Sequence, residues 1–105
     1  MLVTFLSDYG HADEFVGVVH SVIRSIAPEV RVIDLTHEIP PYDVRAGSLT
    51  LGRAAQYLCP GVVLAVVDPG VGTARDALVM CADGRWFVGP DNGLMSIVAR
   101  RAARC

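Results

Sequence analysis

Residues 62–67 form the longest strictly apolar run in the chain, six residues that end at Asp68. A run of that length is far too short to span a membrane. It has the look of a central parallel strand covered on both faces. Two further strand-like segments, 3–6 and 30–35, also end in polar clusters: Ser7-Asp8-Tyr9-Gly10 after the first and Thr36-His37-Glu38 after the second. Between them Phe15, Val18, Val19, Val22, Ile23 and Ile26 recur at helical spacing, with Asp13 as the expected N-cap and Pro28 closing the helix. Two strands joined by one helix are expected to lie parallel in a right-handed crossover.

The remainder reads the same way. Residues 36–43 form a loop stiffened by Pro40-Pro41, and 43–58 carry a weaker helical pattern that Pro60-Gly61 ends. Residues 77–82 and 85–88 flank Asp83-Gly84, a type I′ hairpin signal. Residues 94–104 are expected to form a third helix, with Arg100, Arg101 and Arg104 suited to its C-terminal end. No repeat, linker or low-complexity stretch interrupts the 105 residues, which read as one α/β domain.

Composition excludes several chemistries. All nine basic residues are Arg, so a phosphate-loop lysine, a Schiff-base lysine and a Ser-x-x-Lys nucleophile are ruled out for these residues. A net charge of −2 gives no basic footprint for nucleic acid. No basic segment precedes the first apolar stretch, so no secretory signal is visible and a cytoplasmic protein is expected. Cys59, Cys81 and Cys105 form no Cys-x-x-Cys pair, and reduced thiols are the expectation. The apolar share of 52% suggests strands buried on both faces or a surface that meets another domain or chain.

In parallel α/β sheets ligands sit beyond the carboxyl ends of the strands. Asp8, the Thr36-His37-Glu38 cluster and Asp68 all fall at such ends. The loop from Asp68 to Arg75 carries Gly70 and Gly72, which permit close approach of backbone to a ligand. Each residue also has a plainer reading. Asp8 can be a turn former, Asp13 an ordinary cap, and Asp68–Arg75 a structural ion pair. His37 has no second His at metal-ligand spacing and is expected to be a hydrogen-bonded structural histidine; His11 and His20 are expected to be exposed. Pro90-Asp91-Asn92-Gly93 reads as a turn entering the last helix, and Tyr42 as a loop aromatic able to stack on a flat base.

Five motifs in order carry more. Ser7-Asp8-Tyr9-Gly10, Asp13-Glu14-Phe15-Val16-Gly17, Asp34-Leu35-Thr36-His37-Glu38-Ile39-Pro40-Pro41, Val66-Val67-Asp68-Pro69-Gly70-Val71-Gly72-Thr73-x-Arg75 and Val88-Gly89-Pro90-Asp91-Asn92-Gly93-Leu94 closely resemble the S-adenosylmethionine hydroxide adenosyltransferase family, relatives of the fluorinase and chlorinase. The resemblance covers residues 1 to about 98. It implies a Rossmann-like three-layer N-terminal domain with a mainly parallel sheet, followed in the family by a β-barrel domain and usually assembled as a homotrimer. The implied reaction is attack of water, acting as hydroxide, on the ribose C5′ of S-adenosylmethionine, giving adenosine and methionine. S-adenosylmethionine is then the substrate, and no cofactor, metal, nucleic acid or membrane is expected to take part.

Residue by residue, the resemblance implies that Asp8 holds the ribose hydroxyls, Asp13 supplies a second polar contact and Tyr42 packs on the nucleoside. Asp68 and Arg75 match two members of the family's Asp–Arg–His set around the water. An Asp beside an Arg is a poor base, so Asp68 is expected to orient the water and Arg75 to lower the cost of forming hydroxide. A carboxylate at position 68 would repel a halide, which disfavours halogenation. Cys105 comes before the family's catalytic His and C-terminal domain, so the chain is expected to be a fragment or a degenerate or split form. A second reading is therefore a non-catalytic nucleoside-binding or assembly module. A metal-dependent hydrolase built on Asp8, Asp34 and His37 is the third.

Overall fold

The computed structural model describes residues 1–69 and 76–105. The elements follow in the order β1 (Leu2–Ser7), α1 (Phe15–Ile26), β2 (Arg31–Thr36), α2 (Val44–Ala54) with a 3₁₀ turn at Ala55–Tyr57, β3 (Gly61–Val66), β4 (Ala77–Ala82), β5 (Arg85–Pro90) and α3 (Ser96–Arg101). They build a five-stranded sheet in the order β2-β1-β3-β5-β4. Adjacent strands run parallel except the β4–β5 hairpin. The hairpin turns through Asp83 and Gly84, both at positive φ (49° and 81°), as a type I′ turn requires.

The strand order decides where the helices lie. The chain steps from β1 outward to β2, then returns past β1 to β3. Because both crossovers are right-handed, reversing direction puts their helices on opposite faces. On one face α2, α3 and the segment leading into α3 pack over Leu6, Val63, Ala65, Val67 and Phe87 through Leu51, Leu94, Met95 and Val98, all buried. Full burial of side chains such as Leu51 and Phe87 contributes about 1.5–3 kcal/mol each. Gly47 lets α2 approach closely: a Cβ there would lie 2.8 Å from Leu94 Cδ1 and 3.2 Å from Val67 Cγ2. On the other face α1 covers β1, with Val16 buried and the His20 ring near Phe5. The result is the three-layer α/β arrangement expected from sequence.

Several expectations are corrected. β3 alternates between fully and partly buried positions, so it is not covered equally on its two faces. On the β4–β5 hairpin Val79 and Trp86 are exposed, because α1 covers β1 rather than the far half of the sheet. The last helix is shorter than 94–104. It starts only after the Pro90–Gly93 turn and ends at Arg101, where Ala102 is already extended. His20 is only partly exposed, because it faces Asp34 on β2.

The thiols are not all reduced: Cys81 is disulfide-bonded to Cys105, with Cα atoms 4.8 Å apart, and only Cys59 is free. Local spacing could not reveal that pair, because it depends on the tail folding back over the hairpin. Asp83 organises the fold-back. Its carboxylate accepts from the Ala103 and Arg104 amides at 3.0 and 3.1 Å, and its own amide donates to the Arg104 carbonyl at 2.7 Å.

Candidate functional site

In an open α/β sheet the binding crevice lies where strand order reverses, beyond the carboxyl ends of the strands. Here that point is between β1 and β3. Asp8 and Tyr9 leave the end of β1, Asp68 leaves the end of β3, and the loop after β2 brings Pro41 and Tyr42 over the same place. Together with Val66 they line a concavity of about 320 Å³.

The loops are held by specific bonds. Tyr42 sits at φ 64°, a left-handed conformation uncommon for a bulky residue, in a turn closed by the Asp43 amide donating to the Pro40 carbonyl at 3.0 Å. Its amide donates to Asp8 Oδ2 at 2.6 Å, so the carboxylate at the end of β1 fixes the strained residue that presents an exposed ring. An outlier held in this way is a signature of functional loops. Asp43 in turn caps α2 by accepting from the Ala46 amide at 2.9 Å.

Val67 is fully buried, and Asn92 fastens its backbone. Asn92 Nδ2 donates to the Val67 carbonyl at 2.8 Å, while Oδ1 accepts from the Leu94 amide at 3.0 Å. The turn expected at residues 90–93 therefore also anchors the peptide just before Asp68.

The site is acidic. Burial pushes the Tyr9 phenol above its ordinary value, and the Asp8 and Asp68 carboxylates add to the rise. Tyr9 therefore stays a neutral phenol between two carboxylates, with its ring 4.6 Å from that of Phe15. Such a concavity favours a polyol, which carboxylates bind as acceptors, and a cation.

Of the residues singled out from sequence, Asp8, Tyr42 and Asp68 come together here. Asp13 does not line this concavity. Its Oδ1 accepts from the Phe15 amide at 3.0 Å, and it borders a shallow groove along α1. The helix cap falls one residue later than expected, at Glu14, because Asp13 makes its bond to the first helical amide across a two-residue turn. Arg75 and the two loop glycines lie outside the described residues.

Sequence reasoning missed a buried polar chain beneath the site. Ser7 and His37 are fully buried, and Ser7 Oγ lies 2.6 Å from His37 Nδ1. His37 Nε2 lies 2.7 Å from Asp34 Oδ1, and His20 Nε2 approaches the same carboxylate at 3.0 Å. Burial pushes the Asp34 carboxyl up, but the hydrogen bonds from His37 and His20 outweigh it and hold it below its ordinary value. His37 is thus the hydrogen-bonded histidine expected, with both ring nitrogens engaged. Its link to Ser7 spans 30 residues, which no local pattern signals.

Residues 3–105 match the model of the SAM hydroxide adenosyltransferase N-terminal domain. The chain belongs to that family. It is 53% identical over 93 residues to an (R)-S-adenosyl-L-methionine hydrolase of Salinispora tropica, covering 89% of this chain and 36% of that protein. A fluorinase of an Actinoplanes species is more distant, 26% identical over 121 residues, with 92% of this chain and 41% of that protein covered. The fold also matches a solved structure of an uncharacterized conserved protein from Thermotoga maritima, with a TM-score of 0.91 and 44% identity, over 95% of this chain and 39% of that one. The chain thus spans little more than a third of the length of the S. tropica hydrolase it resembles. Among the described residues no helix is long and apolar enough to cross a membrane.

Proposed function

We propose that the protein hydrolyses S-adenosylmethionine to adenosine and methionine, and that this chain supplies the half of the site built on its N-terminal domain. The observation that carries the reading is the meeting of Asp8, Asp68 and Tyr42 at the strand-order reversal, within a family whose relatives include named S-adenosylmethionine hydrolases.

In this reading Asp8 accepts the two ribose hydroxyls. One of its oxygens already holds the Tyr42 amide, and a carboxylate has about four acceptor positions to share. Tyr42 packs on the nucleoside; Asp13, which borders the groove along α1 and not this concavity, is assigned no contact with it. Asp68 orients the water and Arg75 stabilises it as hydroxide forms. The C5′–O bond forms as the C5′–S bond breaks, and the bonding pair passes to sulfur, which leaves as the neutral thioether of methionine. The water's proton is released to solvent or to a base outside this chain. A neutral leaving group needs no general acid, so catalysis rests on positioning and deprotonating water. The acidic concavity suits the sulfonium charge as well as the diol. The proposal includes no cofactor, and it includes a cytoplasmic homotrimer in which other parts of the protein complete the pocket.

The test is a product assay on the full-length protein, with chromatographic detection of adenosine and methionine and Asp68→Ala as the control. Turnover that depends on Asp68 is the expected result. Undiminished turnover in the variant would remove the role assigned to it, and adenosine binding without turnover would favour a non-catalytic nucleoside-binding module.

A further inference from the structure

We propose that Asp34, His37 and Ser7 form a positioning relay that sets the Asp8 loop for nucleoside binding, so that a carboxylate outside the pocket controls affinity within it. The inference rests on the function proposed above, since it concerns the same site.

With the His37 ring neutral, the bonding pattern allows one arrangement of protons. An ionised carboxylate only accepts, so His37 Nε2 carries the proton directed at Asp34. In the neutral ring Nδ1 is then an acceptor, and the Ser7 hydroxyl must donate to it. The hydroxyl oxygen is left free to accept, and it takes the Tyr9 amide at 3.2 Å. The His37 carbonyl accepts from the Gly10 amide at 2.7 Å. Residues 7, 9 and 10 are therefore tied to one histidine, and Asp8 lies between them. The loop that carries Asp8 cannot shift without breaking bonds to Ser7 and His37, both fully buried, where an unpaired polar group is costly.

The far end of the relay is accessible. Asp34 lies on β2, the edge strand, is partly exposed and is not among the residues lining the concavity. Its second neighbour, His20 on α1, shares the carboxylate. The His11 ring lies 5.2 Å from that of His37, and its Nδ1 is 3.2 Å from Glu38. Neither of these neighbours replaces Asp34 at His37 Nε2. Removing the Asp34 carboxylate frees the Nε2 proton and allows the ring to turn or to change tautomer. Ser7 then loses its acceptor, and the amides beside Asp8 lose their fixed direction.

The test uses the full-length protein with Asp34→Ala, Asp34→Asn, Ser7→Ala and the Ser7→Ala/Asp34→Ala double variant. Folding is checked by circular dichroism, KM and kcat are measured for S-adenosylmethionine, and Kd for adenosine is measured by calorimetry. Asp8 is assigned to binding shared by ground and transition states, so its misplacement should raise KM and Kd about tenfold or more and leave kcat within about twofold. Asp34→Asn keeps an acceptor for Nε2 and should recover most of the loss. If the residues act as one relay, the double variant should be no worse than the poorer single one, whereas independent sites would add. A folded Asp34→Ala or Ser7→Ala protein with both constants unchanged overturns the relay, as does full additivity. Should Asp34→Ala fail to fold, Ser7→Ala still decides the question through Kd. Wild type that neither binds adenosine nor turns over substrate defeats the proposed function and the relay together. Active wild type with indifferent variants defeats the relay alone.

Discussion

Asn92 gives the sharpest link between fold and site, because one amide holds two buried backbone groups. Asn92→Ala strips the Val67 carbonyl of its donor and the Leu94 amide of its acceptor, and both residues are fully buried. A buried polar group left unpaired costs about 1–3 kcal/mol, so the pair predicts a loss of about 2–6 kcal/mol. With a urea m-value of about 2 kcal/mol/M for a small domain, the midpoint should fall by about 1–3 M. Asn92→Asp is more discriminating. It has nearly the same shape and keeps the bond from Leu94, but at neutral pH it turns a carboxylate oxygen toward the Val67 carbonyl. That environment favours the protonated acid, which can donate to the carbonyl, so the folded-state pKa is raised. Its stability contribution is then present below the unfolded value, near 3.9 for Asp, and is lost as pH rises through the folded value. Urea unfolding followed by circular dichroism across pH should show Asn92→Asp approaching wild type in acid and falling below it at neutral pH. An Asn92→Asp protein as stable as wild type at neutral pH, or an Asn92→Ala loss well under about 1 kcal/mol, would refute the anchoring role.

Other outcomes follow from the same structure. Asp34, whose carboxyl is held below its ordinary value, contributes stability above the unfolded carboxyl pKa that disappears as pH falls through the lower folded value. The stability difference between wild type and Asp34→Asn should therefore shrink in acid, and a difference that widens would contradict the assignment. Tyr42→Gly relieves a left-handed backbone while loosening the unfolded chain, so stability should stay within about 1 kcal/mol of wild type; adenosine affinity, measured by calorimetry, should fall. Cys105→Ser opens a disulfide linking residues 24 apart and should cost about 3.5 kcal/mol by the loop-entropy relation. Thermal melts with and without reductant check this: reductant should lower the wild-type midpoint and leave the variant unmoved.

Much of this architecture is legible locally. The helical spacing of α1, the Asp83-Gly84 hairpin and the polar clusters at strand ends are properties of neighbouring residues, and they place Asp8 and Asp68 at the carboxyl edge of a sheet. The strand order is not local, and it alone decides that β1 and β3 are the pair flanking the crevice. The same limit hides the Ser7–His37 bond and the Cys81–Cys105 disulfide, each joining segments far apart in sequence. Tyr42 is intermediate. Pro40-Pro41 announces a turn, but its left-handed backbone is set by a carboxylate 34 residues earlier.

The central claim is that water attacks the ribose C5′ of S-adenosylmethionine at the site where Asp8 and Asp68 meet. It is tested most directly by turnover of the full-length protein in water enriched in the heavy oxygen isotope, with mass analysis of both products. The account predicts one heavy oxygen in the 5′-hydroxyl of adenosine, unlabelled methionine, and loss of labelled product in Asp68→Ala. Adenosine formed without label, or labelled equally well without the Asp68 carboxylate, would contradict it.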